Sequence, residues 1–305
     1  MRAHDLSGLE PDNFLAFLTL LGLLRALETA EPSWKPRAFW TGVPLRPRLL
    51  LDADVDRAAL AEAAVSGIVS FGATYAFDAD DIKFSGEEFR ALADSVTSIE
   101  RGTLLAALCS DGAMKRDGKA VEATPLCMML GSGHQYFLRR LSNATTVPTH
   151  PEKITAALFE QWTYRDTTES FRWDPIEDRR YAYQSGNPSD TPNKVGTVTG
   201  ANRLAALAFG VWSCAPGRRA LLAAATNGRG ADRTIRWPLN SVSASLTALL
   251  ALLSHPDVSR GHADPNSRYD NPRALATLGV KAIVTARRYQ NDKYFNVSRG
   301  YMESP

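Results

Sequence analysis

The segment PDNFLAFLTLLGLLRAL (residues 11–27) decides much of the fold. Its apolar side chains recur at helical spacing through Phe14, Leu21 and Leu24, and further leucines widen the stripe until it covers most of the helix surface. We predict a helix that is central to the core or packed on another chain. Gly22 lowers the intrinsic stability of this helix but permits a neighbouring backbone to approach closely.

Outward from this helix, short helices alternate with short strands and turn residues. One helix start is well defined because Ser85 and Glu88 have the spacing of a capping box. The chain ends in a predicted hairpin of Val280–Tyr289 and Lys293–Tyr301. We therefore predict the α+β class, with mixed helices and short sheets, an irregular central basic segment at 163–200 and a C-terminal β-hairpin. The other predicted elements are helices over Val55–Val65, Gly86–Ala93, Ile99–Leu108, His134–Leu141, Thr149–Trp162, Ala201–Trp212 and Val242–Leu253, and strands over Arg48–Leu51 and Pro125–Leu130.

Charge is distributed unevenly along a chain whose net charge is only +2. Residues 1–100 contain 9 Lys and Arg against 16 Asp and Glu, a net of −7, whereas residues 101–305 contain 26 against 17, a net of +9. This asymmetry favours a polyanionic partner for the later part, although two solvated faces of opposite sign would give the same counts. A weak boundary divides an N-terminal α/β part (1–145) from a basic, nucleic-acid-facing part (146–305), unless both form one continuous domain.

Cysteine content and hydropathy bear on the compartment. Cys109, Cys127 and Cys214 are far apart in sequence, odd in number and in apolar surroundings, which is typical of buried free thiols in a reducing compartment. The longest apolar run, Phe14–Leu24, is too short to span a bilayer and lacks the flanks of a signal peptide. We expect a cytoplasmic protein with no membrane partner.

Familiar catalytic signatures do not occur in this sequence: there is no P-loop, Rossmann glycine pattern, H-E-x-x-H motif, C-x-x-C pair or G-x-S-x-G elbow. Two carboxylate pairs, Asp52 with Asp54 and Asp80 with Asp81, have the chemistry to bind a metal, but both sit beside predicted helix starts, where acids also favour the helix dipole. We expect no catalytic residue, no metal and no cofactor. The open alternative is a metal-dependent nuclease that uses Asp80 and Asp81 or a histidine near His134.

The stretch between Arg165 and Arg203 combines cations, amides, aromatics and glycines. Arginine suits bidentate contact with phosphate or guanine, amides contact base edges, and a helix starting near Ala201 would direct its positive end at an anion. A competing interpretation is that its acids pair with its arginines and that its aromatics are core. We favour the half from Lys194 to Arg203 as the contact surface, because its cations lack acids close in sequence. The candidate nucleic-acid-binding residues of this stretch are Arg179, Arg180, Gln184, Asn187, Lys194, Thr197, Thr199, Asn202 and Arg203.

Two other segments are candidates for the same surface. Gly131–Gln135 places a Gly pair between a predicted strand and a predicted helix and has the composition of an anion cradle, although Gln135 would equally satisfy a buried backbone group. The terminal hairpin mixes cations with amides and tyrosines, although a charged edge strand also prevents aggregation. Arg233 and Arg236 belong to a weaker fourth patch. The candidate residues of the two main segments are His134, Gln135, Arg287, Arg288, Asn291 and Lys293.

These residues resemble a known family. The opening Leu6–Pro11 and the LGLLR sequence at Leu21–Arg25 resemble the start of the large subunits of type I-G (formerly I-U) CRISPR Cascade complexes, which have a Pro-containing entry to a similar apolar helix. The run Gly131–Leu138 is similar to a Gly-rich, Gln-containing segment of such subunits, and residues 172–181 and 200–203 also resemble sequence from this set. Many of these large subunits are considerably longer, so the resemblance implies a compact version.

The resemblance implies a non-catalytic subunit of an RNA-guided surveillance complex in antiviral defence. Such subunits bind near one end of the guide RNA, inspect the short motif that flanks the DNA target, help to open the duplex and offer a surface to the recruited helicase-nuclease. Base pairing reads the target sequence, whereas protein reads the flank and the backbone. The implied partners are guide RNA, target double-stranded DNA, the Cascade backbone and other subunits, and the helicase-nuclease. A pure scaffold whose patches contact only other subunits is a further alternative.

Overall fold

The fold is described from a computed structural model. No helix within the described part of the chain combines the length and the apolar character needed to cross a membrane. The described residues are 2–129, 136–167, 170–178, 196–217, 220–228, 233–260, 272–291 and 294–303.

Helix α1 (Phe14–Ala30) forms the centre of the core. The side chain of Asn13 caps it by accepting a hydrogen bond from the Ala16 amide. Every residue from Phe14 to Leu27 is buried, so the helix is surrounded by its own chain on all sides. Of the two environments that the broad apolar stripe allows, the central one is confirmed.

The main partners of α1 are α8 (Thr199–Phe209) and α2 (Arg57–Ser70). The backbones of α1 and α8 touch at Gly22, where an added Cβ would lie 1.8 Å from Leu204 O. The close approach predicted at this glycine is therefore confirmed. The contact also joins residues from both sides of the weak boundary near 145.

An antiparallel sheet covers one end of the core. It consists of β1 (Arg2–Asp5), β2 (Arg37–Thr41) and β3 (Arg46–Leu51) in the order β1–β3–β2. Residues of β2 and β3 alternate between buried and half-buried positions, so one face lies on the core. A backbone bridge between Ala38 and Ala244 links this sheet to the C-terminal half.

The middle of the chain is a set of short helices and one small hairpin. The capping box predicted at the start of α4 is confirmed, since Glu88 N donates to Ser85 Oγ at 3.1 Å and Ser85 N donates to the Glu88 carboxylate at 2.7 Å. The elements are α3 (Gly72–Tyr75), α4 (Gly86–Asp94), α5 (Ile99–Leu108), β4 (Cys109–Met114), β5 (Val121–Ala123), α6 (Phe137–Thr146) and α7 (Pro151–Phe159).

A second antiparallel sheet occupies the C-terminal part, in the order β11–β10–β9–β8 with β12 also paired to β10. Trp237 ties this sheet to the core, because its ring stacks on Phe17 at 5.9 Å and its Nε1 donates to Pro11 O at 3.0 Å. The elements after α8 are β6 (Cys214–Pro216), β7 (Leu221–Ala223), β8 (Thr226–Asn227), β9 (Arg233–Asn240), α9 (Leu246–Leu253), α10 (Pro256–Arg260), α11 (Pro272–Thr277), β10 (Val280–Asn291), β11 (Tyr294–Val297) and β12 (Tyr301–Glu303).

The predicted α+β class and the C-terminal hairpin are confirmed. The strand predicted at Pro125–Leu130 is wrong over residues 125–129, which form turns. The helix predicted through Trp162 ends earlier, at Phe159, and the Trp162 indole then folds back to donate to Ala157 O at 2.9 Å. Irregular backbone is confirmed for the described parts of 163–198 apart from the 3-10 turn Pro175–Asp178, whereas Thr199 and Gly200 already belong to α8.

All three cysteines are free, as predicted; Cys109 and Cys127 are buried and Cys214 is half-buried. Burial raises the pKa of Cys109 and Cys127 to about 12 and that of Cys214 to about 11. The buried position predicted for these thiols is therefore confirmed for two of them.

Candidate nucleic-acid interface

Two of the three candidate segments are hydrogen-bonded to one short stretch, Thr124–Met129, which we call the junction segment, and the third follows this stretch in sequence. The indole Nε1 of Trp173 donates to Leu126 O at 2.9 Å. A guanidinium nitrogen of Arg288 donates to Pro125 O at 2.6 Å. Trp173 belongs to the central basic stretch, Arg288 belongs to the terminal hairpin, and the junction segment itself leads into the Gly-rich candidate. Segments that are distant in sequence therefore start from one place.

The junction segment is a pair of turns with its own internal hydrogen bonds. Thr124 N donates to Leu108 O at 2.8 Å, Leu126 N donates to Thr124 Oγ1 at 3.3 Å, and Cys127 N donates to Thr124 O at 3.0 Å. Side chains satisfy the two carbonyls that follow Thr124. This explains the failed strand prediction, because backbone groups paired in this way need no neighbouring strand.

The described aromatics of the central stretch are core residues. Phe171 and Trp173 are 2% and 0% exposed, and their rings stack with centroids 4.5 Å apart. Trp173 also stacks on Phe209 at 5.7 Å. The competing interpretation, that these aromatics are core residues, is therefore correct for this pair. Both rings are buried beneath the candidate interface and have no exposed face on which a base could stack. Tyr181 and Tyr183 lie outside the described residues.

Asp174 fixes the path of the chain where it leaves this aromatic pair. Its carboxylate accepts hydrogen bonds from Asn13 Nδ2 at 3.3 Å and from the Ile176 amide at 2.9 Å. Burial, reinforced by the charge of Asp174, raises the pKa of the Tyr164 hydroxyl. Strand β11 lies against the 3-10 turn Pro175–Asp178 that follows. The central stretch and the terminal hairpin are thus in direct contact.

The candidate residues at the start of α8 are all buried. Thr197 pairs with Asp166 through both backbone groups, and the Asp166 carboxylate accepts from the Thr199 amide at 2.9 Å. Asn202 donates to Val198 O at 3.1 Å. A carboxylate therefore does lie at the start of α8: it belongs to Asp166, which is paired with Thr197 although it is distant in sequence. The exposed fractions are 4% for Thr197, 8% for Thr199, 4% for Asn202 and 8% for Arg203.

Arg203 is not the unpaired cation that its sequence neighbours suggest. Its guanidinium donates to Asn143 O and, at 2.7 Å, to Val147 O. Both carbonyls lie at the C-terminal end of α6, where a cation also complements the helix dipole. The expectation of unpaired cations in the second half of the stretch is therefore wrong at this residue, whose first role is to hold α6 against α8.

A cavity of about 280 Å³ opens beside this contact. Arginine and amide side chains line it together with Phe171 of the buried aromatic pair. Arg140 at its rim donates to Ser170 O at 2.8 Å. The cavity is the concave part of the α6–α8 contact. Its lining residues are Arg140, Asn143, Ala144, Val147, Thr167, Phe171, Thr199, Asn202 and Arg203.

In the terminal hairpin the two neighbouring arginines have different environments. Arg287 is exposed, whereas Arg288 is 6% exposed and lies over the Phe295 ring at 3.9 Å. Burial, with repulsion from Arg233, lowers the pKa of Arg288 to about 10. Arg236 of the weaker fourth patch is buried and structural, since it donates to Thr285, Asp257 O, Val258 O and Glu303.

One exposed basic turn is not among the segments that the sequence favours as binding residues. Between β4 and β5, Lys115, Arg116 and Lys119 are exposed, while Asp117 accepts a hydrogen bond from the Lys119 amide at 3.1 Å. Strand β5, which follows this turn, leads directly into the junction segment. The density of positive charge over a few residues is the signal that could have found it.

The carboxylate pairs considered as metal ligands bind cations and backbone within the chain. Arg139 donates to both oxygens of Asp80 at 2.8 Å. Asp81 accepts from the Phe137 amide at 3.1 Å, and it forms an ion pair with Lys83 at 3.2 Å. Within the described ranges, no group of three or more His, Cys, Asp or Glu residues is arranged to hold a metal ion.

Several predicted residues lie outside the described part of the chain, and their role stays a prediction. Asn291 is the last residue of β10, so its backbone position on the hairpin is known. The residues outside the description are His134, Gln135, Arg179, Arg180, Gln184, Asn187, Lys194 and Lys293.

Comparison with models of known protein families gives no match, and neither does comparison with curated protein sequences. The function of this chain therefore has to be inferred from its own residues.

Proposed function

We propose that this chain is a non-catalytic, nucleic-acid-binding subunit of a CRISPR RNA-guided surveillance complex in antiviral defence, of the compact type I-G large-subunit kind. The observation that carries the proposal is the attachment of two basic candidate segments, the central stretch and the terminal hairpin, to the junction segment. Trp173 and Arg288 donate to adjacent carbonyls there, and β11 contacts the turn after Trp173. The family assignment rests on the sequence resemblance alone.

Cations at this surface support binding through the phosphate backbone. Lys115, Arg116, Lys119 and Arg287 are exposed. Each phosphate that a lysine or arginine neutralises releases condensed counterions, which drives binding to DNA or RNA of any sequence. Amides and arginines on the attached segments would then contact base edges. The rigid junction segment limits the conformational entropy that the interface loses on binding.

Within the proposed complex, the surface binds target double-stranded DNA next to the guide RNA, reads the flanking motif and helps to open the duplex. Other faces contact the Cascade backbone and further subunits, and the assembled complex recruits the helicase-nuclease in the cytoplasm. Guide pairing supplies the sequence specificity, so this chain needs only backbone and flank contacts.

Copurification from the native cells tests the family assignment. We expect an affinity-tagged chain to bring down companion subunits together with small guide RNA. A preparation that contains neither would remove the surveillance-complex assignment. The pure scaffold would be established by two results. The copurified assembly would stay intact after nuclease removes the RNA, and crosslinking would find no nucleic acid on this chain.

Salt-dependent DNA binding by the purified chain tests the surface itself. We expect the logarithm of the association constant to fall linearly with the logarithm of salt concentration. Changing Lys115, Arg116 and Lys119 together to Ala should reduce the slope by roughly 1 for each phosphate that the variant no longer neutralises. Arg2→Ala is the matched control, because Arg2 is an exposed cation in the acidic part, paired with Asp54. A flat salt response, or equal effects of both variants, contradicts the proposed surface.

Divalent metal in the same assay separates the enzyme alternative. We expect DNA to remain intact when Mg²⁺ or Mn²⁺ is added. Cleavage that disappears in Asp80→Asn but survives in Asp52→Asn would establish the metal-dependent nuclease. Intact DNA after prolonged incubation with both metals would leave binding as the activity of the isolated chain.

A further inference from the structure

Two buried arginines face each other at the end of the C-terminal sheet. Arg233 in β9 and Arg288 in β10 are direct partners in the antiparallel register, so their side chains project from the same face of the sheet. They are 7% and 6% exposed. Two buried arginine side chains thus start from neighbouring positions on one face of the sheet.

The hydrogen-bonding capacity of this pair is largely unused. The Nε atoms of both arginines are buried and have no acceptor. Arg288 donates from one terminal nitrogen to Pro125 O, whereas the side chain of Arg233 forms no hydrogen bond within the described residues. Arginine carries five N–H donors and always keeps its charge. The two buried Nε donors of this pair therefore lack an acceptor.

Within the described residues, the negative charge near the pair is insufficient to balance it. Glu122 is the carboxylate whose charge reaches both arginines, and one of its oxygens already accepts from the Leu221 amide at 3.1 Å. Neither arginine forms an ion pair with Glu122 or with another described residue. Burial and mutual repulsion lower the pKa of Arg288 to about 10. Buried charges are normally paired and hydrogen-bonded, and this pair falls short of that state by about one negative charge.

We infer that Arg233 and Arg288 form a binding site for a phosphate group, which supplies the missing negative charge and accepts the unused N–H donors. A tetrahedral oxyanion presents several acceptor oxygens and matches the planar fork of a guanidinium in bidentate fashion. The site lies beside the junction segment, because Arg288 is bonded to Pro125 O. The phosphate comes either from free inorganic phosphate or from a polynucleotide backbone; the second source rests on the proposed function, whereas the first does not.

Thermal unfolding in phosphate and in chloride at equal ionic strength tests the site. At phosphate concentrations about 100-fold above the dissociation constant, we expect Tm of the wild-type chain to rise by roughly 4 °C. Arg233→Met and Arg288→Met should each lose this rise. Arg287→Met is the matched control, since Arg287 is the exposed neighbour on the opposite face, and it should keep the rise.

The stability of the variants in chloride provides a second readout. Removal of one guanidinium relieves the repulsion, so Arg233→Met without phosphate should be at least as stable as wild type. If that variant fails to fold, titration calorimetry of inorganic phosphate into the wild-type chain decides the question. Absence of binding, or a Tm rise that is the same in Arg233→Met and Arg287→Met, overturns the inference.

A short single-stranded oligonucleotide separates the two sources and the two proposals. Oligonucleotide that competes with inorganic phosphate for the wild-type chain identifies a backbone phosphate as the occupant. Phosphate binding with no oligonucleotide binding keeps the site and removes the proposed function. Oligonucleotide binding that Arg233→Met and Arg288→Met leave unchanged keeps the proposed function and removes this site.

Discussion

Two regions of this chain bury arginine in opposite ways. In α1, where this helix contacts α8, Arg25 is 6% exposed and donates to Leu207 O at 2.8 Å and to the Tyr75 hydroxyl at 3.1 Å. At the end of the C-terminal sheet, Arg233 and Arg288 are about equally buried. Among the described residues, their side chains form one hydrogen bond, from Arg288 to Pro125 O. In the first arrangement, no buried nitrogen of Arg25 lacks an acceptor. The second gains its missing partners only from outside the described fold.

Contact with an aromatic ring does not distinguish the two regions. Arg25 lies over Phe71 at 4.3 Å, and Arg288 lies over Phe295 at 3.9 Å. Cation–π contacts partly offset the loss of water for a guanidinium in both places. The difference is in hydrogen-bond satisfaction, which separates an arginine that builds the core from one that is available to bind.

The largest effect that we expect comes from closing the space between α1 and α8. Gly22→Ala places a Cβ 1.8 Å from Leu204 O, and a helix backbone on both sides cannot yield locally. The free energy of unfolding should fall by more than about 4 kcal/mol, or the chain should fail to fold. Denaturant titration followed by circular dichroism measures the change.

Gly102→Ala is the matched control for this substitution. Gly102 lies inside α5, and its new Cβ would meet only Val96 Cγ1 at 3.6 Å, an ordinary contact. Alanine should therefore stabilise the protein by roughly 0.5–1 kcal/mol through helix propensity. Equal stability of the two variants would mean that α1 and α8 do not touch as described.

The parts of the fold that can be predicted from sequence are those that depend on neighbouring residues. The α1 stripe, the Ser85 capping box and the terminal hairpin depend on residues within a few positions of one another, and each is predicted correctly. The junction segment is not, because its carbonyls are satisfied by Trp173 and Arg288, which are far away in the chain. Local pattern carries no information on such partners.

A smaller effect separates the two classes of buried arginine. Arg25→Met should lower the free energy of unfolding by about 2–3 kcal/mol, because the Leu207 carbonyl loses its charged donor in a dry site. Arg233→Met, measured in the same chloride buffer, should leave the free energy of unfolding unchanged or raise it. Similar losses for both substitutions would erase the distinction between a satisfied and an unsatisfied guanidinium.

The candidate site is predictable in composition but not in exposure. The sequence predicts Arg288 and Arg203 as candidate binding residues. In the structure Arg288 donates to Pro125 O, whereas Arg203, which the sequence presents as a free cation, donates to Val147 O. Whether an arginine is free depends on carbonyls that a distant helix end brings within reach, as α6 does for Arg203. The importance of Arg233 depends on strand register, which places it opposite Arg288.

The smallest expected effect tests whether the junction segment is dry. Burial raises the pKa of the Cys127 thiol to about 12 from its ordinary 9.0, and it outweighs the Met129 backbone hydrogen bond and the charge of Arg288, which both favour the thiolate. The folded state therefore holds the thiol proton more tightly than the unfolded state. This contribution to stability is fully present below pH 9 and is lost as the pH rises towards 12.

Cys127→Ala removes that contribution. Between about pH 8 and pH 10, the fall in the free energy of unfolding should be about 1.4 kcal/mol smaller in this variant than in wild type. Ser95→Ala, an exposed change with no titrating group, should leave the pH dependence as it is in wild type. If Cys127→Ala also leaves it unaltered, the thiol already ionises in the folded protein, water reaches the junction segment, and the dry support that the arginine pair requires is missing.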